Sequence, residues 1–116
     1  MCIRDRACNA QPVVLMTRLG PFAFAHNGNL VNAAELRETL DDGHTEFTST
    51  TDSELIAFAI QQAVNRGLDW KPAIKEAANL CRGAFSLVIG TATELYALRD
   101  SFGIRPLVFG LSLIHI

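Results

Sequence analysis

Phe22-Ala23-Phe24-Ala25-His26-Asn27-Gly28-Asn29-Leu30 is the stretch of this 116-residue chain that decides how it folds. Phe22 to His26 is short, apolar and rich in aromatics, the pattern of a buried strand. It gives way abruptly to Asn27-Gly28-Asn29, which predicts a strand feeding a tight loop. Such a junction presents the Asn27 amide beside Gly28, whose backbone N–H no side chain obstructs. Both groups are hydrogen-bond donors. In acyl-transfer chemistry a pair of this kind stabilises the oxyanion of a tetrahedral intermediate, and losing one such donor costs about 2.7–4 kcal/mol of barrier. Asn-Gly is equally the strongest hairpin-turn dipeptide, and the residues alone leave both readings open.

Upstream, Val13-Val14-Leu15-Met16 follows Pro12 and reads as another buried strand, with Gly20-Pro21 as the turn between the two. Downstream, Asn32 and Glu35 have the spacing of a capping box, and Leu36 and Leu40 recur at helical spacing until Asp41-Asp42-Gly43. Thr51 and Glu54 repeat that signature. After them Leu55, Ala59 and Ala63 share one helix face, flanked by Ile56, Ile60 and Val64, and Gly67 is the stop. A third helix is expected over Trp70 to Cys81, with Pro72 near its first turn and an apolar stripe of Trp70, Ile74, Ala77, Ala78 and Cys81.

From Ala84 the period changes. Ala84 to Ile89 and Glu94 to Leu98 flank the turn-like Gly90-Thr91-Ala92-Thr93 and predict a β-hairpin, and Pro106 to Phe109 predicts one more strand. Strands before and after adjacent helices give an α+β fold in which a helical layer packs on mainly antiparallel sheet.

Composition narrows the function classes. The chain is 49% apolar and 19% charged, with a formal charge of -2 and no basic run to neutralise phosphates, so nucleic acid is an unsuitable partner. No apolar stretch reaches the roughly 18 residues that cross a bilayer, and the N-terminus lacks the apolar core of a secretory signal. Cys2, Cys8 and Cys81 form neither a Cys-x-x-Cys pair nor an even set, which fits a reducing, cytoplasmic compartment.

Four ordered blocks, AHNGNLVNAAEL, TSTTDSELI, CRGAFSLVIG and RDSFGIRPLVFG, resemble class II glutamine amidotransferase domains, and specifically those of the amidophosphoribosyltransferase family. That family opens de novo purine synthesis by making phosphoribosylamine from phosphoribosyl pyrophosphate and glutamine-derived ammonia. The resemblance runs from about Asn9 to Gly110 and implies the N-terminal-nucleophile hydrolase fold, a four-layer αββα sandwich of which this chain holds a part.

It also implies roles. The side-chain amide of Asn27 and the backbone amide of Gly28 would form the oxyanion hole, and Asp52 would hold the α-ammonium of glutamine. An acid in the first turn of a helix also complements the macrodipole, by about 0.3–1 kcal/mol, and the two roles are compatible. His26 is expected to support the site from the end of its strand. Gly103-Ile104-Arg105-Pro106-Leu107 and Asn29-Leu30 favour this family over the glutaminase of glucosamine-6-phosphate synthase, the first alternative. Arg105 is read as a surface or packing residue. A non-catalytic module that binds glutamine or a full-length homologue is the second alternative.

The family nucleophile is a cysteine at the mature N-terminus whose own α-amine serves as base. Cys2 does not match it, because Ile3-Arg4-Asp5-Arg6 is unlike the glycine-containing strand that should follow and Asn27 lies only 25 positions on (27 minus 2). The arginine-bearing segment that clamps the glutamine carboxylate is likewise not found upstream of Gln11-Pro12. The expectation is a partial glutamine amidotransferase type-2 domain over residues 7–110, with non-native ends at 1–6 and 111–116, inactive alone. Cys8 and Cys81 are expected to be small buried hydrophobes.

No cofactor or metal ligand is expected within the chain. The magnesium of the parent family, and the iron-sulfur cluster of some members, would bind outside it. The partners implied are glutamine, the phosphoribosyltransferase domain of the parent polypeptide and, for the parent, further copies of itself.

Overall fold

The computed structural model describes residues 12–41, 52–100 and 107. The strand expected over 106–109 (Leu107 apart), the Thr51 capping signature, Arg105, Cys2, Cys8 and both terminal hexapeptides lie outside these residues.

Strand β1 (Val13–Thr17) and strand β2 (Gly20–Leu30) form a hairpin. Thr17 opposes Gly20, so the turn is Arg18-Leu19, two residues earlier than Gly20-Pro21. The Thr17 hydroxyl holds it, donating to the Gly20 carbonyl at 2.8 Å and accepting from Leu19 N–H at 3.1 Å. Pro21 is instead the second residue of β2, opposite Met16, close to a strand start, where a missing N–H is tolerated.

After β2 come helix α1 (Ala33–Leu40), helix α2 (Asp52–Asn65) and helix α3 (Trp70–Leu80), then strands β3 (Gly83–Gly90) and β4 (Leu95–Arg99). The four strands make one antiparallel sheet in the order β1-β2-β3-β4. The β3–β4 hairpin forms as expected, Gly90 opposing Leu95. Thr91 closes its loop, its N–H donating to the Glu94 carbonyl at 2.8 Å and its hydroxyl accepting from Glu94 N–H at 3.0 Å.

Because side chains alternate along a strand, the sheet has two unlike faces. On one, Val13, Phe24, Ile89 and Tyr96 lie in register, as do His26, Leu87 and Leu98. Helix α2 lies across β1 and β2 on this face, and α1 and α3 pack against α2. The core is made of Phe22, Phe24, Leu87 and Ile89 from the sheet and Leu55, Ile56, Ile60 and Val64 from α2. Each buried side chain of this size stabilises the fold by about 1.5–3 kcal/mol. Trp70 at the start of α3 meets Phe22 edge to face, with ring centroids 5.6 Å apart.

The other face carries Val14, Met16, Val88 and Leu95, all exposed. Among the described strands β1 is therefore a half-covered edge strand rather than the buried strand its apolar run suggests. One helical layer on one antiparallel sheet is half of an αββα sandwich.

Arg18 ties the hairpin to the helices. Its guanidinium donates to the carbonyls of Val64 and Leu68, and its N–H to Asn65 Oδ1 at 3.0 Å. A cation is thereby placed on the C-terminal carbonyls of α2, where the helix dipole favours it.

The capping box expected at Asn32 and Glu35 does not form. Asn32 is the N-cap of α1 by position but makes no side-chain capping bond. Its amide is engaged elsewhere, Nδ2 donating to the Leu80 carbonyl at 2.8 Å and Oδ1 accepting from Arg82 N–H at 3.0 Å. These bonds fasten the link between α3 and β3 to the end of β2.

Candidate functional site

The Asn27-Gly28-Asn29 segment is not a loop. β2 runs through it, with Asn27 opposite Ser86, Gly28 opposite Phe85 and Leu30 opposite Gly83. The hairpin-turn reading is excluded, and so is the tight loop expected after His26. Gly28 has φ +137, and a Cβ there would lie 2.0 Å from the Ala84 carbonyl oxygen. Glycine is required because the β2 and β3 backbones approach this closely, not because the chain reverses.

The backbone pairing fixes where the Gly28 N–H points. Phe85 turns both its polar groups to the other neighbour, its carbonyl accepting from Asp100 N–H at 3.0 Å and its N–H donating to Asp100 Oδ1 at 3.1 Å. In an antiparallel ladder, opposed residues either exchange both bonds or neither. Gly28 opposes Phe85 without bonding to it, so its N–H faces away from β3. The described part of β1 pairs only as far as Val13 opposite Phe24, so this edge of β2 lies beyond it.

Leu30, two residues on, has the same orientation, and its N–H donates to Asp52 Oδ2 at 2.7 Å. The carboxylate of Asp52, the first residue of α2, therefore sits on the β2 edge from which the Gly28 N–H projects. Asn27 is exposed, on the face opposite buried Phe24 and His26. The three predicted site residues thus lie at one end of β2: a backbone donor, an exposed amide and a half-buried carboxylate. Donors and an acid at one edge suit a ligand with a developing negative oxygen at one end and an ammonium at the other.

Two buried residues neighbour the site: Ser53, which the sequence did not single out, and Cys81, whose expected burial is observed. Ser53 is buried beside Asp52 and its Oγ lies 3.0 Å from His26 Nδ1. Cys81 is buried at the C-cap of α3, its thiol donating to the Ala77 carbonyl at 3.2 Å. Burial, and then the negative charge of Asp52, push the Cys81 thiol up to about 12, which marks it as an inert hydrophobe. A cavity of about 560 Å³ adjoins it, bounded by Val31, Cys81, Gly83, Phe85, Arg99 and Asp100 among others. Among the described residues no group of three or more His, Cys, Asp or Glu side chains could hold a metal ion, and no helix is long and apolar enough to cross a membrane.

The profile of a family described as a glutamine amidotransferase domain matches residues 1–113. The chain belongs to the glutamine amidotransferase domain family. Among members with assigned names, it is 61% identical over 106 residues to the amidophosphoribosyltransferase of Synechococcus elongatus, covering 91% of this chain and 22% of the relative. It is 57% identical over 103 residues to that of Synechocystis, covering 88% of this chain and 21% of the relative. The chain thus spans about a fifth of the length of these relatives.

In three dimensions it is similar to a glutamine phosphoribosylpyrophosphate amidotransferase from B. subtilis, complexed with ADP and GMP. The TM-score is 0.75 at 34% identity, covering 83% of this chain and 21% of that one. The glutamine amidotransferase fold expected from the sequence, an N-terminal-nucleophile hydrolase sheet under helices, is the fold observed.

Proposed function

We propose that this chain forms the oxyanion-stabilising and ammonium-binding side of a glutamine pocket. It belongs to an amidophosphoribosyltransferase that hydrolyses glutamine and passes the ammonia to phosphoribosyl pyrophosphate, the first step of de novo purine synthesis. The observation that carries this reading is the shared β2 edge: the Gly28 N–H projects from it and Asp52 is seated on it two residues away. The δ-carbonyl oxygen of glutamine, negative once a thiolate adds to its carbon, accepts from Gly28 N–H and Asn27 Nδ2. The α-ammonium pairs with Asp52.

The thiolate, its α-amine base and the arginine that clamps the α-carboxylate come from other parts of the parent polypeptide, as does the phosphoribosyltransferase domain that consumes the ammonia. Magnesium or an iron-sulfur cluster, where the parent uses them, is held by residues outside this segment. The parent is a cytoplasmic homo-oligomer. Names of the 61% and 57% identical relatives favour the purine enzyme over the glutaminase of glucosamine-6-phosphate synthase.

The test is a hybrid in which residues 12–100 replace the matching stretch of the Synechococcus elongatus enzyme. Glutamine-dependent phosphoribosylamine synthesis by the hybrid supports the reading. Loss of that activity, with ammonia-dependent synthesis intact, contradicts it. Assayed alone, the 116-residue chain gives no glutamine turnover; calorimetric binding of glutamine to it without turnover would favour the non-catalytic module.

A further inference from the structure

We infer that His26 and Ser53 are a positioning pair that sets the separation between the two ends of the glutamine site; this rests on the function proposed above. Each is the chain neighbour of a site residue, His26 preceding Asn27 on β2 and Ser53 following Asp52 on α2. Both are buried, at 7% and 4% exposure, and Nδ1 of His26 lies 3.0 Å from Ser53 Oγ.

A second bond crosses the same seam, from Leu30 N–H to Asp52 Oδ2 at 2.7 Å. The seam between β2 and α2 is thus pinned on both sides of Asn27 and Gly28, by residues 26 and 30 of one strand and by adjacent residues 52 and 53 of one helix. The histidine ring has little freedom of its own. It stacks on Phe24 with centroids 6.5 Å apart and lies opposite Leu87 across the ladder.

The core that joins β2 to α2 is built on the apolar side chains of Phe22, Phe24, Leu55, Ile56 and Ile60. Apolar contact holds two elements together but leaves them free to slide by fractions of an ångström, whereas a hydrogen bond is directional and fixes distance. An apolar pair of matching shape at 26 and 53 would serve cohesion about as well. Placing the oxyanion donors of β2 and the carboxylate of α2 to suit one substrate length is what the polar pair adds. A misplacement of about 1 Å costs on the order of a hundredfold in rate.

The test uses the full-length hybrid enzyme, with ammonia-dependent synthesis as the control for folding and for the second domain. Ser53→Ala is expected to lower glutamine kcat by about 10- to 100-fold with a smaller change in KM, leaving ammonia-dependent synthesis unaltered. Ser53→Thr, which restores the hydroxyl, and His26→Asn, whose amide replaces Nδ1, recover kcat to within a few-fold. A Ser53→Ala enzyme with unaltered glutamine kcat overturns the inference, and so does a loss shared with the ammonia reaction that Ser53→Thr fails to rescue. Asn27→Ala and Asp52→Asn in the same hybrid separate the two levels of the argument. If Asn27→Ala lowers glutamine kcat and Asp52→Asn raises glutamine KM while Ser53→Ala changes neither, the positioning role alone fails; if all three leave glutamine use intact, the site reading fails with it.

Discussion

Asp52 Oδ2 accepts a hydrogen bond from the backbone N–H of Leu30 at 2.7 Å, so the acid that begins α2 is held by the strand that carries the proposed oxyanion donors. One oxygen of this carboxylate thereby has a structural partner, and the other is the one proposed to meet the substrate ammonium. Asp52→Asn keeps an acceptor for Leu30 but removes the charge proposed to meet the ammonium. It should raise the glutamine KM of the hybrid enzyme by one to two orders of magnitude, the equivalent of about 1.5–3 kcal/mol. Asp52→Ala also strands the Leu30 N–H, adding about 1–3 kcal/mol of destabilisation. Steady-state kinetics and urea unfolding separate the effects: an unchanged glutamine KM in Asp52→Asn would show that the charge has no role, and equal urea midpoints for the two variants would show that the bond to Leu30 has none.

Asn27→Ala removes one of the two proposed oxyanion donors without touching the core, since Asn27 is exposed. The account predicts a fall in glutamine kcat of about a hundred- to a thousandfold with stability nearly unchanged. A change confined to KM would mean that Asn27 only binds the ground state.

Gly28→Ala should disrupt the sheet before it disturbs catalysis. The new Cβ would meet the Ala84 carbonyl oxygen at 2.0 Å and Phe85 Cα at 2.8 Å, in a backbone with φ +137. Strain and overpacking together amount to about 3 kcal/mol or more. Trp70, the only tryptophan and buried against Phe22, reports unfolding by its fluorescence. An unchanged urea midpoint in the 116-residue chain would contradict the close approach of β2 and β3.

Cys81 should resist alkylation. Its thiol is raised from 9.0 to about 12, first by burial and then by Asp52, so the reactive thiolate is scarce at pH 8. Peptide mapping after iodoacetamide treatment is expected to find Cys81 unmodified in the folded chain and modified in urea. The sign of the linkage follows: between pH 9 and about 12 the unfolded thiol loses its proton while the folded one keeps it, so this group lowers stability as pH rises through that window. Rapid labelling of Cys81 in the native chain would show that the helix layer does not close over it.

How much of this was legible in the sequence depended on whether the signal was local. Helix α2 was, because Leu55, Ile56, Ala59, Ile60, Ala63 and Val64 repeat at helical spacing and all are buried. So was the β3–β4 hairpin, whose alternation and Thr91 turn are set by neighbouring residues. The run Asn27-Gly28-Asn29 misled because its composition matches a turn, while the pairing that keeps it in a strand comes from Ala84, Phe85 and Ser86, more than fifty positions away (84 minus 29 is 55).

Asn32 misled for the same reason. Its capping pattern is local, but its amide is engaged by Leu80 and Arg82. The identities of the site residues came from resemblance. Their convergence could not be read from the chain, because the Leu30 N–H that seats Asp52 is a backbone group with no sequence signature.

The most direct test is the structure of the hybrid enzyme carrying a stable tetrahedral adduct of its nucleophile with an electrophilic glutamine analogue. The account predicts the adduct oxygen within about 3 Å of both Asn27 Nδ2 and the Gly28 N–H, and the analogue's ammonium within hydrogen-bonding distance of Asp52. An adduct whose oxygen turns away from Asn27 and Gly28, or whose ammonium is held without Asp52, would contradict it.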